Sequence, residues 1–81
     1  MPTDEELAEV IRDLLARRTP GSTICPSDAA RAVGGEHWRD LMDPVRRVAG
    51  RMVRDGEVVV TQRGEPVDPA AARGPIRIGP C

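Results

Sequence analysis

Lysine, phenylalanine and tyrosine are absent from the 81 residues, and tryptophan occurs once, as Trp38. With a single aromatic residue, the core must be assembled from Leu, Ile, Val, Met and Ala, and Trp38 is expected to be its buried anchor. The absence of lysine makes every cation an arginine, 12 of them against 13 acids. Genome composition produces such a bias as readily as guanidinium chemistry does, so the count alone assigns no partner. Cysteine is scarce. Cys25 and Cys81 lie far apart, in neither a disulfide framework nor a metal-ligand spacing. No apolar run is long enough to span a membrane. The opening PTDEEL is acidic and lacks the basic-then-apolar form of a signal peptide. A reduced, cytoplasmic protein with no membrane association, no metal and no cofactor is the expectation. No carboxylate pair, glycine-rich phosphate loop or nucleophile elbow occurs, so the chain reads as non-enzymatic.

The net charge of −1 is unevenly spread. Residues 1–18 carry five acids against three arginines, and residues 36–81 carry eight arginines against seven acids. This is not the strongly basic balance of a protein that binds nucleic acid by bulk charge. The length predicts one small domain over residues 1–81, whose single core supplies only ~3–5 kcal/mol of net stability.

The stretch WRDLMDPVRRVAGRMVRDGEVVVTQ, residues 38–62, is the most informative. Asp43-Pro44 predicts a helix start, with Asp43 as N-cap and Pro44 at the first helical position. Val45, Val48, Ala49, Met52 and Val53 then form one apolar stripe at helical spacing. Arg47, Arg51 and Arg54 fall on the opposite side around Gly50, with Arg46 on the flank. Asp55-Gly56 closes the helix. Val58-Val59-Val60 reads as a strand covered on both faces, or nearly so, and Arg63-Gly64 reads as a two-residue turn.

Before this stretch, Thr3 with Glu6 forms a capping box that opens a first helix to Arg18, with Leu7, Val10, Ile11, Leu14 and Leu15 as its apolar stripe. Thr23-Ile24-Cys25 can add a short strand to the later hairpin. Ser27 is the expected N-cap of a second helix that ends at Gly34-Gly35. Its small residues Ala29, Ala30 and Ala32 permit a close helix crossing. After the turn, Pro66 implies an edge position. Asp68 to Gly74 reads as a one-turn helix, and Pro75-Ile76-Arg77-Ile78 as a last strand. The expected fold class is α+β, a winged helix-turn-helix of three main helices with a small antiparallel sheet and a wing hairpin.

A third helix with an arginine stripe suits the major groove, where such residues reach phosphates or guanine edges. The candidate DNA-contact residues are Arg46, Arg47, Arg51 and Arg54, with Arg63 on the wing. Arg39 lies just ahead of the helix, and Ser27 stands at a helix N-terminus beside Arg31. Each has a plainer reading: a solvated helix face, a lone turn arginine, an ordinary cap. Cys25 reads as a small buried hydrophobe. Double-stranded DNA is the leading partner. The alternative is a winged helix used for protein interaction or dimerisation, which the acidic first helix and near-neutral charge favour.

The strings ICPSDAARAVGG, WRDLMDPVRRVA, VVVTQRGEPVDP and GPIRI, in this order, resemble the small bacterial family catalogued as domain of unknown function thirty-two fifty-three. The resemblance implies a winged-helix-like architecture and no particular chemistry. It also implies that Ile24, Cys25, Pro26, Ser27, Trp38, Arg39, Met42, Arg46, Thr61, Gln62, Gly74, Pro75 and Arg77 are motif positions, without saying which are functional.

Overall fold

Helix formation dominates the first two-thirds of the chain. The computed structural model describes residues 2–81. Its elements are α1 (Asp4–Arg17), α2 (Pro26–Gly34), a 3-10 segment (Gly35–Leu41), α3 (Met42–Arg54), β1 (Val58–Gln62), β2 (Glu65–Pro66) and β3 (Arg77–Pro80). The fold is α+β. The helical part is α1 followed by α2 and α3, which the kinked 3-10 segment joins: Gly35 stands at φ 53°, and His37 departs from helical φ/ψ.

The capping box of α1 is as the sequence predicts: Glu6 N–H donates to Thr3 Oγ1 at 3.1 Å, and Thr3 N–H donates to Glu6 Oε1 at 3.3 Å. Two other caps are displaced. The second helix starts a residue or two early, with Cys25 as its N-cap and Pro26 inside the first turn, so Ser27 is not the cap. Asp28, inside the first turn, reaches back to accept from Cys25 N–H at 2.9 Å. Proline suits this place because the amide it lacks has no intrahelical partner there. Asp43 is likewise not an N-cap. The 3-10 segment runs straight into α3, whose cap position is Leu41, and leaves no separate start for Asp43-Pro44 to mark. The far end of α3 follows expectation. Gly56 adopts φ 78°, Gly56 N–H donates to Val53 O and Glu57 N–H to Met52 O, the paired bonds of a Schellman motif.

The sheet is antiparallel in the order β2-β1-β3. Ile24 adds an isolated bridge on the outer side of β3, exchanging two backbone hydrogen bonds with Ile78. The segment at residues 23–25 thus extends the sheet at its last strand, not at the hairpin. The strand β3 begins at Arg77, two residues later than expected. Only Val58 and Val60 of β1 are buried; Val59 is 40% exposed, so this strand is covered on one face alone. Residues 68–72 form a hydrogen-bonded turn in place of a one-turn helix, with Asp68 O accepting from Ala71 and Ala72 N–H and its side chain capping Ala70 N–H.

Leu7 and Ile11 of α1, Ala29 and Ala30 of α2, and Val45, Val48, Ala49 and Met52 of α3 pack onto Ile24, Val58, Val60, Ile76 and Ile78 of the sheet side. Each large aliphatic buried this way contributes ~1.5–3 kcal/mol before entropy. Trp38 is not the buried anchor. It is only half-buried at the edge of this cluster. Side chains three apart eclipse one another in a 3-10 turn. Leu41 takes the inner place, leaving the indole outside it, where the guanidinium carbons of Arg31 and Arg39 stand 4.4 and 4.5 Å from the ring centroid. Among the described residues no helix is long and apolar enough to cross a membrane.

Candidate nucleic-acid interface

The arginines of α3 separate into three environments. Arg47 and Arg51 point at α1: Arg47 Nη2 lies 2.7 Å from Asp4 Oδ1, and Arg51 Nη2 lies 2.6 Å from Glu5 Oε1. The acids that favour the N-terminus of α1 by its dipole therefore also neutralise the stripe on α3. Arg46 turns the other way. Its Nη1 donates to Ala72 O at 3.0 Å and its Nη2 to Gly74 O at 2.6 Å, so this half-buried side chain clamps the connection between β2 and β3. Arg54 is exposed and has no hydrogen-bond or ion-pair partner among the described residues.

Gly50, in the middle of the arginine stripe, is covered from within. It is buried, and a Cβ built on it would stand 3.5 Å from Pro69 Cγ. Pro69 and Ala70 thus wall one side of an open groove of about 510 Å³, with Asp43, Arg46, Arg47 and Arg54 on the α3 side.

Arg63 and Gly64 are the central residues of the predicted turn. Both have positive φ, 55° and 83°, which matches the twist of the two strands they join. Arg63 is exposed. Arg39 sits on the 3-10 segment against Trp38, and Ser27 is half-buried inside the first turn of α2. Of the seven sequence candidates, Arg46, Arg47 and Arg54 line the α3 groove together, while Arg51 pairs with α1, Arg39 stacks on the indole, Ser27 lies in the first turn of α2 and Arg63 stands at the hairpin turn.

A second basic groove was not anticipated. It measures about 410 Å³ and is lined by Gln62, Arg63, Arg73, Gly74, Pro75 and Arg77. Gln62 Nε2 donates to the carbonyls of Arg73 and Pro75, the latter at 3.2 Å. Arg77 Nε donates to Thr23 Oγ1 at 2.8 Å, its Nη2 to Thr23 O at 3.0 Å, and its Nη1 contacts Cys25 Sγ at 2.7 Å. The motif positions Arg46 and Gln62 converge by hydrogen bonds on the loop that carries Gly74 and Pro75, and Cys25 lines a groove beside the same two residues. That convergence is the signal that could have found the groove, although spacing along the chain does not reveal it.

The family model described as "Protein of unknown function (DUF3253)" matches residues 4–80. No curated protein matches the chain. The chain belongs to the DUF3253 family.

Proposed function

We propose that this member of the DUF3253 family is a non-catalytic, cytoplasmic winged helix-turn-helix that binds double-stranded DNA. The connectivity supports the reading: α1, a one-residue bridge at Ile24, α2, α3, then strands β1 and β3 with Ile24 paired outside β3. The wing is the 63–76 excursion between β1 and β3, and it folds back onto α3 through Pro69 and the Arg46 clamp. The observation that carries the reading is the distribution of unpartnered cations. Arg54, Arg63 and Arg73 have neither a carboxylate nor a hydrogen-bond acceptor among the described residues, and they line two grooves that flank the same wing loop. Both free cysteines suit a reducing compartment.

A second reading, a protein-interaction or dimerisation module, is favoured by one observation: Asp4 and Glu5 already neutralise the part of α3 that would enter a groove. Titration of a labelled duplex with the full chain at several salt concentrations tests the first reading. Affinity that falls steeply with salt is expected, because each phosphate contact releases about one counterion. Absence of binding to any duplex at low salt overturns it in favour of the second.

A further inference from the structure

The groove between the hairpin turn and β3 holds three arginines and no carboxylate among its lining residues. Like charges gathered this way repel one another, and nothing in the fold requires Arg63 or Arg73 to be there, since neither makes a side-chain contact that holds an element. Arg77 supplies a fixed charge. Three of its five N–H donors are spent on Thr23 and Cys25, which leaves two for a ligand. The floor is fixed as well, because Gln62 bonds the carbonyls that bracket Gly74 and so sets the backbone from which Arg73 projects. Arg63 projects from a backbone at φ 55°, a conformation that Asn or Gly adopts at less cost. An arginine kept there at that cost, opposite two others, suits an oxyanion with several acceptor oxygens. By contrast, the α3 groove includes Asp43, and the cations Arg47 and Arg51 face Asp4 and Glu5.

We propose that this groove is a seat for a phosphate group, held by Arg63, Arg73 and Arg77, with the phosphodiester of a nucleic-acid backbone and a free phosphate as the two sources of the same chemistry. The site deepens the duplex-binding reading and rests on it only for the first of these sources. The test uses the full chain in two arms. In one, inorganic phosphate is titrated against chloride at constant ionic strength, while backbone amide and arginine side-chain nitrogen resonances are followed by NMR. In the other, a labelled duplex is titrated with wild type and with the double variant Arg63→Gln, Arg73→Gln. Both substituted residues are exposed and unpartnered, so the variant should melt as the wild type does, and Arg77 is left alone because it ties Thr23 to β3. Saturable shifts at Arg63, Gly64, Arg73, Gly74 and Arg77 of the wild type support the site. A weakening of duplex binding by about tenfold or more in the variant, the worth of a charge-assisted hydrogen bond, assigns it to backbone phosphate. Phosphate binding without any duplex binding keeps the site and removes the DNA reading. Duplex binding that the variant leaves unchanged, with no saturable phosphate shifts, overturns the site and keeps the DNA reading.

Discussion

Arg63 is the one residue other than glycine with positive φ among the described residues. A left-handed backbone costs a residue with Cβ roughly 1–2 kcal/mol, while Asn offsets part of that by local hydrogen bonding. Arg63→Asn is therefore expected to raise stability by up to ~1 kcal/mol, read as a higher urea midpoint at unchanged slope, while removing one groove cation. An unchanged or lower midpoint would show that the arginine side chain itself stabilises the turn. Trp38 makes the complementary case. Its solitary status suggests an anchor, but a side chain at the edge of a 3-10 turn loses less when truncated than one in the core. Trp38→Ala should cost ~1–3 kcal/mol rather than the ~3–5 kcal/mol of a fully buried ring. Composition states how many aromatic residues exist but not which layer each will occupy, and here the aliphatic side chains Leu7, Ile11, Ile24, Met52, Ile76 and Ile78 fill the centre by themselves.

At the scale of elements, periodicity made α1 and α3 readable, because their buried faces repeat at 3.6 residues and the Thr3 and Gly56 caps are strong local signals. The starts of α2 and α3 were not readable from their candidate caps. Ser27 and Asp43 each look like a cap, yet Cys25 and the incoming 3-10 turn come first. The wing loop was the least legible part for a different reason. Its conformation depends on side chains far away in sequence, Arg46 reaching 28 residues forward to Gly74 O and Gln62 reaching 13 forward to Pro75 O. No local pattern encodes such a clamp. Arg46→Met keeps the aliphatic stem and removes both donors, leaving two carbonyls to water. It is expected to cost about 2 kcal/mol, since hydrogen bonds from charged donors are the stronger kind. Native-state hydrogen exchange should locate the effect, with amides of residues 72–78 losing protection before those of α1. Uniform loss over the whole chain would contradict a local clamp.

Over the whole molecule, the arginines divide by partner. Among the described residues Arg12, Arg17, Arg18, Arg47 and Arg51 pair with carboxylates, Arg46 and Arg77 donate to neutral acceptors, and Arg31 and Arg39 stack on Trp38, so Arg54, Arg63 and Arg73 remain without a partner. A net charge of −1 thus conceals a basic surface smaller than the sequence stripe suggests. Two of the pairs, Asp4 with Arg47 and Glu5 with Arg51, bind the acidic start of α1 to the helix proposed to meet DNA. Exposed pairs of this kind stabilise by only ~0–1 kcal/mol each, and the two acids also favour the N-terminus of α1, so Asp4→Asn with Glu5→Gln should lower stability by ~1–2 kcal/mol and leave the chain folded. The same substitutions free two cations on α3. If duplex binding uses Arg54 and the phosphate seat of the wing as two phosphate contacts, the wild-type slope of log affinity against log salt should be about −1.8, at ~0.9 per contact, and the double variant should steepen it towards about −3.6. Affinity at low salt should rise by up to about fivefold for each freed arginine, the equivalent of ~1 kcal/mol. A steeper slope in the folded variant would identify the start of α1 as a brake on the α3 face. If the slope and affinity stay at the wild-type values while the duplex still binds, Arg47 and Arg51 take no part in the contact, and the wing arginines with Arg54 carry the interface alone.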